Sequence, residues 1–89
     1  MESVSMKLEN RILALIAVGA SVSANCQPCL ERNVSTALKC GADAQEIAEA
    51  IEIGQRVRGG AASKMDAYIP NLVQSNPIPA NPAECGCGL

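Results

Sequence analysis

Residues 25–33 read Asn-Cys-Gln-Pro-Cys-Leu-Glu-Arg-Asn, and the arrangement of the whole chain depends on their Cys-x-x-Cys pair. Asn25 is a favourable helix N-cap, and Pro28 falls in the first turn, where a missing N–H group is harmless. Cys26 and Cys29 are therefore expected one turn apart at the start of a helix. Two thiols in that position form either a redox couple or half of a metal site.

The residues before this pair predict one apolar helix from about Ser3 to about Ser23. A glycine inside such a helix costs about 1 kcal/mol relative to alanine, so Gly19 indicates close packing against another helix. The helix is apolar on more than one side, which is typical of a helix that contacts both its own core and a neighbouring subunit. Its main apolar face is predicted to contain Ile12, Leu15, Ile16, Gly19 and Val22.

The residues after the pair predict further helices. The second helix is expected to run to about Lys39 and to end at a left-handed Gly41. Its inward face is predicted to contain Cys26, Cys29, Leu30, Asn33, Val34, Ala37 and Leu38. A capping box at residues 43–46 predicts a third helix, which is expected to break at a hinge at residues 59–60. A short fourth helix is then expected over residues 61–69, ended by Pro70.

The sequence thus predicts an all-α fold: a small antiparallel bundle of about four helices over residues 1–69. Residues 70–89 hold four of the five prolines and predict an extended, flexible tail. The tail ends in a Cys-x-Cys pair, Cys85 and Cys87. Because the chain has 89 residues and a single aromatic residue, its core is expected to be small, and oligomerisation is the expected remedy.

Composition excludes several function classes. The net charge is −2 and the chain has no basic cluster, which argues against a nucleic-acid partner and against a membrane partner. No stretch has the length of a transmembrane helix. The chain has no histidine, so it lacks the commonest general base and the commonest metal ligand.

The five cysteines cannot all pair within one chain, which fits a reducing cytoplasm better than a secreted disulfide framework. Residues 12–24 also resemble a signal peptide, with an apolar run followed by small residues. The residues before that run are mixed in charge, and cleavage would remove the helix best suited to cover the cysteines. We therefore favour a cytoplasmic protein.

The chemistry of the pair follows from its place in the helix. A helix N-terminus lowers a thiol pKa, so Cys26 is expected to be the more acidic thiol, and Cys29 on the same face can form a reversible disulfide with it. Spacing alone does not decide which thiol attacks. Asn33, one turn further on, either satisfies a local backbone group or orients a substrate. Cys40 is expected to be a packing residue.

Residues 13–33 and 37–50 resemble the carboxymuconolactone decarboxylase / alkylhydroperoxidase D family. The resemblance covers roughly residues 8 to 65 and rests on a helix, the Cys-x-x-Cys pair, a second helix and Gly-Ala-x-x-x-Glu-Ile-x-Glu-Ala at 41–50. It implies an all-helical, alkylhydroperoxidase D-like protein that assembles as a homo-oligomer, a trimer or hexamer. It also implies that Cys26 and Cys29 cycle between dithiol and disulfide with a thiol/disulfide redox partner.

The chain departs from the pattern of the peroxidase branch at three positions. A glutamate lies twelve residues before the first cysteine in that branch, and here the position is Ala14. Histidines stand where this chain has Pro28 and Asn33. Cys26 and Cys29 therefore carry over as catalytic residues, whereas the proton relay does not. The decarboxylase branch needs a histidine-type acid/base group, which this chain lacks.

Three functions remain open from the sequence. The first is a thiol–disulfide redox enzyme, reducing disulfides or peroxides in an antioxidant role, with Cys26 and Cys29 catalytic and Asn33, Cys85 and Cys87 assisting. It needs no cofactor, and the tail pair would exchange with the core pair. The second is a soft-metal or metalloid module in which Cys26, Cys29, Cys85 and Cys87 bind Zn or another soft ion. The third is a redox-inactive oligomeric interaction protein.

Overall fold

The computed structural model describes residues 6–76, and these residues form three helices with no strand among them. Helix α1 spans Asn10–Ser23, α2 spans Gln27–Lys39, and α3 spans Ala44–Ser75. Helix α1 packs against both α2 and α3. The predicted all-α class is confirmed. The number of helices in the described residues is three rather than four, because the predicted break in the third helix does not occur.

Helix α1 begins later than predicted. Residues 6–9 are not helical, and Glu9 is the N-cap without a side-chain hydrogen bond. Met6 and Leu8 are exposed, so a helical turn over these residues would bury no apolar surface to offset its conformational entropy. The predicted start of the helix, at about Ser3, lies outside the described range.

The ends of α1 and α2 are two Schellman motifs. Asn25 is left-handed, with φ of 56°, and its N–H donates to the Val22 carbonyl at 3.1 Å, while the Cys26 N–H donates to the Ser21 carbonyl at 3.0 Å. Asn25 therefore ends α1, and its prediction as the N-cap of α2 was wrong: Cys26 is that N-cap. Asparagine tolerates the left-handed region, and this allows the short connection between the two helices.

The corresponding position after α2 is Gly41, with φ of 94°, and this confirms the predicted left-handed cap. Its N–H donates to the Leu38 carbonyl at 3.1 Å, and the Ala42 N–H donates to the Ala37 carbonyl at 2.9 Å. These bonds satisfy carbonyl groups that a helix end otherwise leaves without partners.

Helix α3 begins at the predicted capping box. The Glu46 N–H donates to the Asp43 carboxylate at 2.8 Å, and the Asp43 N–H donates to the Glu46 carboxylate at 3.1 Å. Glu46 also accepts a hydrogen bond from the Arg11 guanidinium, which ties α1 to the start of α3. The ion pair leaves the Glu46 side chain half-buried.

Helix α3 continues where a break was predicted. It runs through Gly59 and Gly60 and through Pro70 as far as Ser75. Glycine permits a hinge but does not require one, and proline removes one backbone hydrogen bond without forbidding the turns beyond it. The Asn76 amide donates to the Leu72 carbonyl at 2.8 Å, which helps to close the helix end. The predicted extended tail is therefore wrong for residues 70–75, which are helical. The division into a helical domain over 1–69 and a tail over 70–89 is otherwise still a prediction, and residues 77–89 lie outside the described range.

The core is small and is built from short side chains. Val18 is the one large side chain in residues 6–76 that is fully buried, at 0% exposure. The buried cluster consists of Ala14, Val18, Ala37, Ala42 and Ile47, with Leu15, Leu30, Val34, Ala50 and Ile51 packed against it. Val18, the fully buried residue of α1, was not included in the predicted apolar face. Because the sequence of α1 is apolar on two sides, its pattern does not indicate which side packs against the core.

Helices α1 and α3 meet at a pair of glycines. A Cβ on Gly54 would lie 2.8 Å from the Val22 Cβ and closer still to the Gly19 carbonyl oxygen. A Cβ on Gly19 would lie 3.0 Å from the Ala50 carbonyl oxygen. Glycine is needed here because the two backbones are in contact, as the sequence predicted for Gly19.

Beside this crossing lies an open apolar groove of about 440 Å³. It is formed by α1 and α3. Most of the apolar face predicted for α1 lines this groove instead of the core. The groove residues are Ile12, Leu15, Ile16, Gly19, Ala20, Ser23, Ala50, Ile53, Gly54 and Val57.

Candidate functional site

The Cys-x-x-Cys pair forms a disulfide at the N-terminus of α2. Cys26 is the N-cap of that helix and Cys29 is its third residue, with Pro28 between them in the first turn. The two Cα atoms are 5.2 Å apart, a separation typical of disulfides. The structure therefore brings together the two thiols that the sequence singled out.

The two sulfur-bearing residues differ in exposure. Cys29 is exposed, whereas Cys26 is half-buried beneath the turn that joins α1 to α2. An incoming thiolate must approach the sulfur that it attacks in line with the disulfide bond, so access favours attack on Cys29. The leaving sulfur is then that of Cys26.

Cys26 lines a cavity of about 250 Å³ between the end of α1, the start of α2 and the middle of α3. Among the described residues that line it, Arg58 has the one charged side chain, and Gln55 adds a second polar group from α3. The full lining is Ser21, Val22, Asn25, Cys26, Gln27, Leu30, Ile51, Gln55 and Arg58.

Arg58 reaches this cavity from α3. Its guanidinium Nη1 donates to the Asn25 side-chain oxygen at 3.2 Å and to the Val22 carbonyl at 3.5 Å. These partners lie in the last turn of α1 and in the residue directly before Cys26. A cation is favourable at this helix C-terminus, where carbonyl groups carry partial negative charge. The contacts hold the Arg58 guanidinium at the turn before the N-cap cysteine, in the cavity that the two residues share.

Cys29 lines a second cavity, of about 340 Å³, on the other side of the turn. Pro28, Arg32 and Asn33 complete its lining. Each cysteine thus shares a cavity with one arginine: Cys26 with Arg58 and Cys29 with Arg32. In the described part of the chain, no carboxylate lines either cavity.

Asn33 links α2 to α1. Its amide nitrogen donates to the Ser21 hydroxyl at 2.8 Å and to the Ala17 carbonyl at 3.4 Å, and the Ser21 hydroxyl donates to the same carbonyl at 2.7 Å. Ser21 is buried, so these bonds satisfy a polar group that would otherwise be costly to bury. The amide therefore has a structural role between helices, and the predicted assisting role stays a prediction.

The three positions that depart from the peroxidase pattern supply no substitute relay. Ala14 is a core residue, at 7% exposure. Pro28 and Asn33 line the cavity of Cys29. Arg58 was not predicted as a site residue because no motif in the neighbouring sequence indicates a functional role for it. It lies one turn after Gly54, and the close crossing at that glycine brings this part of α3 to the end of α1.

The remaining cysteines bear on the alternatives. Cys40 is half-buried at the end of α2 and forms no disulfide within residues 6–76. In the same range no three His, Cys, Asp or Glu side chains converge to hold a metal ion. Cys85 and Cys87 lie outside the described residues, so their relay role and the four-cysteine metal site stay predictions.

These features define an all-helical protein with a Cys-x-x-Cys disulfide at a helix N-terminus. The family model of the carboxymuconolactone decarboxylase family matches residues 4–68, and the chain belongs to that family. No curated protein and no solved structure matches the chain. Within the described part of the chain, none of the helices is both long enough and apolar enough to cross a membrane.

Proposed function

We propose that this protein is a thiol–disulfide oxidoreductase in which Cys26 and Cys29 cycle between disulfide and dithiol. The observation that carries the proposal is the disulfide at the N-terminus of α2, with one of its two cysteines exposed. Helix N–H groups and the dipole favour a thiolate there over a thiol. Membership of the carboxymuconolactone decarboxylase family supports a redox role for such a pair.

In the reductive half-reaction the electron donor is a dithiol. Its first thiolate attacks the Cys29 sulfur, the Cys26–Cys29 bond breaks, and its electron pair stays on the Cys26 sulfur as a thiolate. The second donor thiolate then attacks the donor sulfur of the mixed disulfide and releases Cys29 as a thiolate. The donor becomes a disulfide, and two electrons remain in the Cys26/Cys29 pair.

In the oxidative half-reaction we favour a disulfide as the acceptor. The Cys29 thiolate attacks one acceptor sulfur, and Cys26 then attacks Cys29, so that the acceptor leaves as two thiols and the core disulfide re-forms. Thiolates are good leaving groups without protonation, whereas a peroxide releases an alkoxide that benefits from a general acid. The chain has no histidine, and within residues 6–76 no carboxylate lines either cavity, which supports disulfides over peroxides.

The experiment is a steady-state comparison of acceptors. Purified protein is supplied with a dithiol donor and either a small-molecule disulfide or an alkyl hydroperoxide. We expect catalysed disulfide reduction, with peroxide reduction at least about tenfold slower because the proton relay is missing. If the protein reduced neither the disulfide nor the hydroperoxide, the proposal would be contradicted. Stoichiometric binding of a soft metal by the inactive protein would then favour the metal module.

A second copy of this chain is our proposed occupant of the α1–α3 groove, giving a homo-oligomer. The groove is apolar along its length, and Ile16, Ile53 and Val57 in its walls are more than half exposed. Further along α3, Met65, Tyr68, Ile69, Leu72 and Val73 are also exposed apolar residues at helical spacing. So much exposed apolar surface on a small core favours association of identical subunits.

Analytical ultracentrifugation tests whether the groove is the interface between subunits. It compares two variants, each with a substitution at an equally exposed aliphatic residue. Ile16 in the groove and Leu38 on α2 are both 56% exposed. We expect Ile16→Glu to dissociate the oligomer, because a buried carboxylate at the interface lacks a partner. Leu38→Glu should leave the oligomer intact. A monomeric wild-type protein, or dissociation by Leu38→Glu alone, would refute the groove as the interface.

A further inference from the structure

We infer that Arg58 is a positioning residue for the redox pair: its guanidinium holds Cys26 as the leaving thiolate when the disulfide opens. The inference rests on the proposed function and adds to it a residue that lies outside the Cys-x-x-Cys motif. It is carried by contacts between α3 and the turn that precedes Cys26.

The first support is the fixed position of the guanidinium. Its bonds to the Asn25 side chain and the Val22 carbonyl join Arg58 to the two ends of the turn that Cys26 follows. Asn25 is itself held by the left-handed backbone and the Schellman hydrogen bonds that end α1. Arg58 is exposed, and these two hydrogen bonds place its guanidinium at the turn that directly precedes the cysteine.

The second support is the charge balance of the cavity. Of the residues 6–76 that line the cavity of Cys26, Arg58 is the one with a charged side chain. Among residues 6–76, no carboxylate lies within ion-pair distance of Arg58, whereas Arg11 pairs with Glu46 and Arg56 pairs with Glu52. An arginine has five N–H donors, so Arg58 keeps donors for an anion. The thiolate of Cys26 is an anion formed in this cavity during the reaction.

The third support is the chemistry that the site lacks. Arginine stays protonated at neutral pH, so Arg58 does not shuttle protons and does not replace a histidine or glutamate relay. It acts through charge alone. When a donor thiolate attacks Cys29, the electron pair of the broken bond moves to Cys26, and the positive charge of Arg58 stabilises the thiolate that forms there. The same cation stabilises the dithiol form at equilibrium.

The test measures the pKa of the Cys26 thiol in a Cys29→Ser protein, from the pH dependence of alkylation. Cys40 is replaced by serine, and mass spectrometry of peptides separates alkylation of Cys26 from alkylation of the tail cysteines. Adding Arg58→Ala is expected to raise the pKa of Cys26 by about half a unit to one unit. In the protein with both core cysteines, Arg58→Ala should lower the equilibrium constant for reduction by about fivefold, equivalent to about 20 mV.

Arg56 provides the matched control, because it lies on the same helix, pairs with Glu52 at 2.9 Å and lines neither cysteine cavity. Arg56→Ala should change neither the pKa nor the equilibrium constant, and Arg58→Lys should restore most of both. Asn25→Gly keeps the left-handed backbone and removes the anchor, so it should reproduce part of the Arg58→Ala effect. The inference would be overturned if Arg58→Ala changed neither the pKa of Cys26 nor the equilibrium constant for reduction. It would also be overturned if Arg56→Ala shifted them as much as Arg58→Ala does.

The alkylation measurement needs no turnover, so its outcome is separate from that of the proposed function. Normal redox cycling together with an unchanged pKa of Cys26 in the Arg58→Ala variant would refute only the role of Arg58. A chain that never cycles would refute the oxidoreductase, whatever the pKa of Cys26.

Discussion

Cys29→Ser is expected to reduce dithiol-dependent disulfide reduction to the uncatalysed rate, the largest functional effect that one substitution in this chain should have. A serine hydroxyl stays protonated at neutral pH and cannot take part in thiol–disulfide exchange. Cys26→Ser should also slow turnover strongly but for a different reason. Cys29 could still attack a disulfide acceptor, but no second core thiol resolves the mixed disulfide, so its release depends on the slower attack of a donor thiolate from solution.

Steady-state turnover and intact-protein mass together distinguish the two variants. Cys26→Ser should accumulate one acceptor adduct on Cys29, whereas Cys29→Ser should form its adduct slowly, because Cys26 is half-buried. Cys40→Ser is the control, since Cys40 lines neither cysteine cavity and should be dispensable. Undiminished turnover in either core variant would mean that the pair is not the redox centre.

Gly54→Ala is expected to destabilise the fold by about 2 kcal/mol, the largest effect on stability that addition of one methyl group should have here. The new Cβ would lie 2.8 Å from the Val22 Cβ and closer still to the Gly19 carbonyl, and a backbone atom cannot move aside as a flexible side chain can. Alanine gains about 1 kcal/mol of helix propensity over glycine, and the clash should exceed that gain.

Gly59→Ala is the matched control on the same helix. A Cβ at Gly59 meets nothing within 4 Å, so the propensity gain should appear alone and stabilise the protein by up to about 1 kcal/mol. Urea denaturation at one fixed protein concentration measures both variants and avoids differences from subunit association. If Gly54→Ala proved as stable as Gly59→Ala, the α1–α3 crossing described above would be wrong.

Local signals predicted much of the fold correctly. The capping box at residues 43–46 and the left-handed Gly41 each depend on a few neighbouring residues, and each formed as expected. The Cys-x-x-Cys pair was placed correctly at the start of α2 for the same reason. Gly19 was correctly assigned to a close helix contact because a glycine in an apolar helix needs a tertiary explanation.

Features that depend on tertiary context were harder to predict. Nothing near Gly59 and Gly60 in the chain decides between a hinge and a continuous helix, and the structure has the latter. The apolar surface of α1 extends over two sides, so its periodicity did not separate the core face from the groove face. Arg58 comes next to Cys26 only through the α1–α3 crossing, which no local pattern encodes.

The most direct test of the central claim is a redox titration of the full chain, followed by mass mapping of its disulfides at each potential. We expect one two-electron transition in the folded core, assigned to the bond between Cys26 and Cys29, with Cys40 reduced on both sides of it. A core pair that stays reduced or stays oxidised across the range of biological thiol potentials would contradict a redox role for Cys26 and Cys29. So would a transition that joins Cys26 or Cys29 to Cys40 instead.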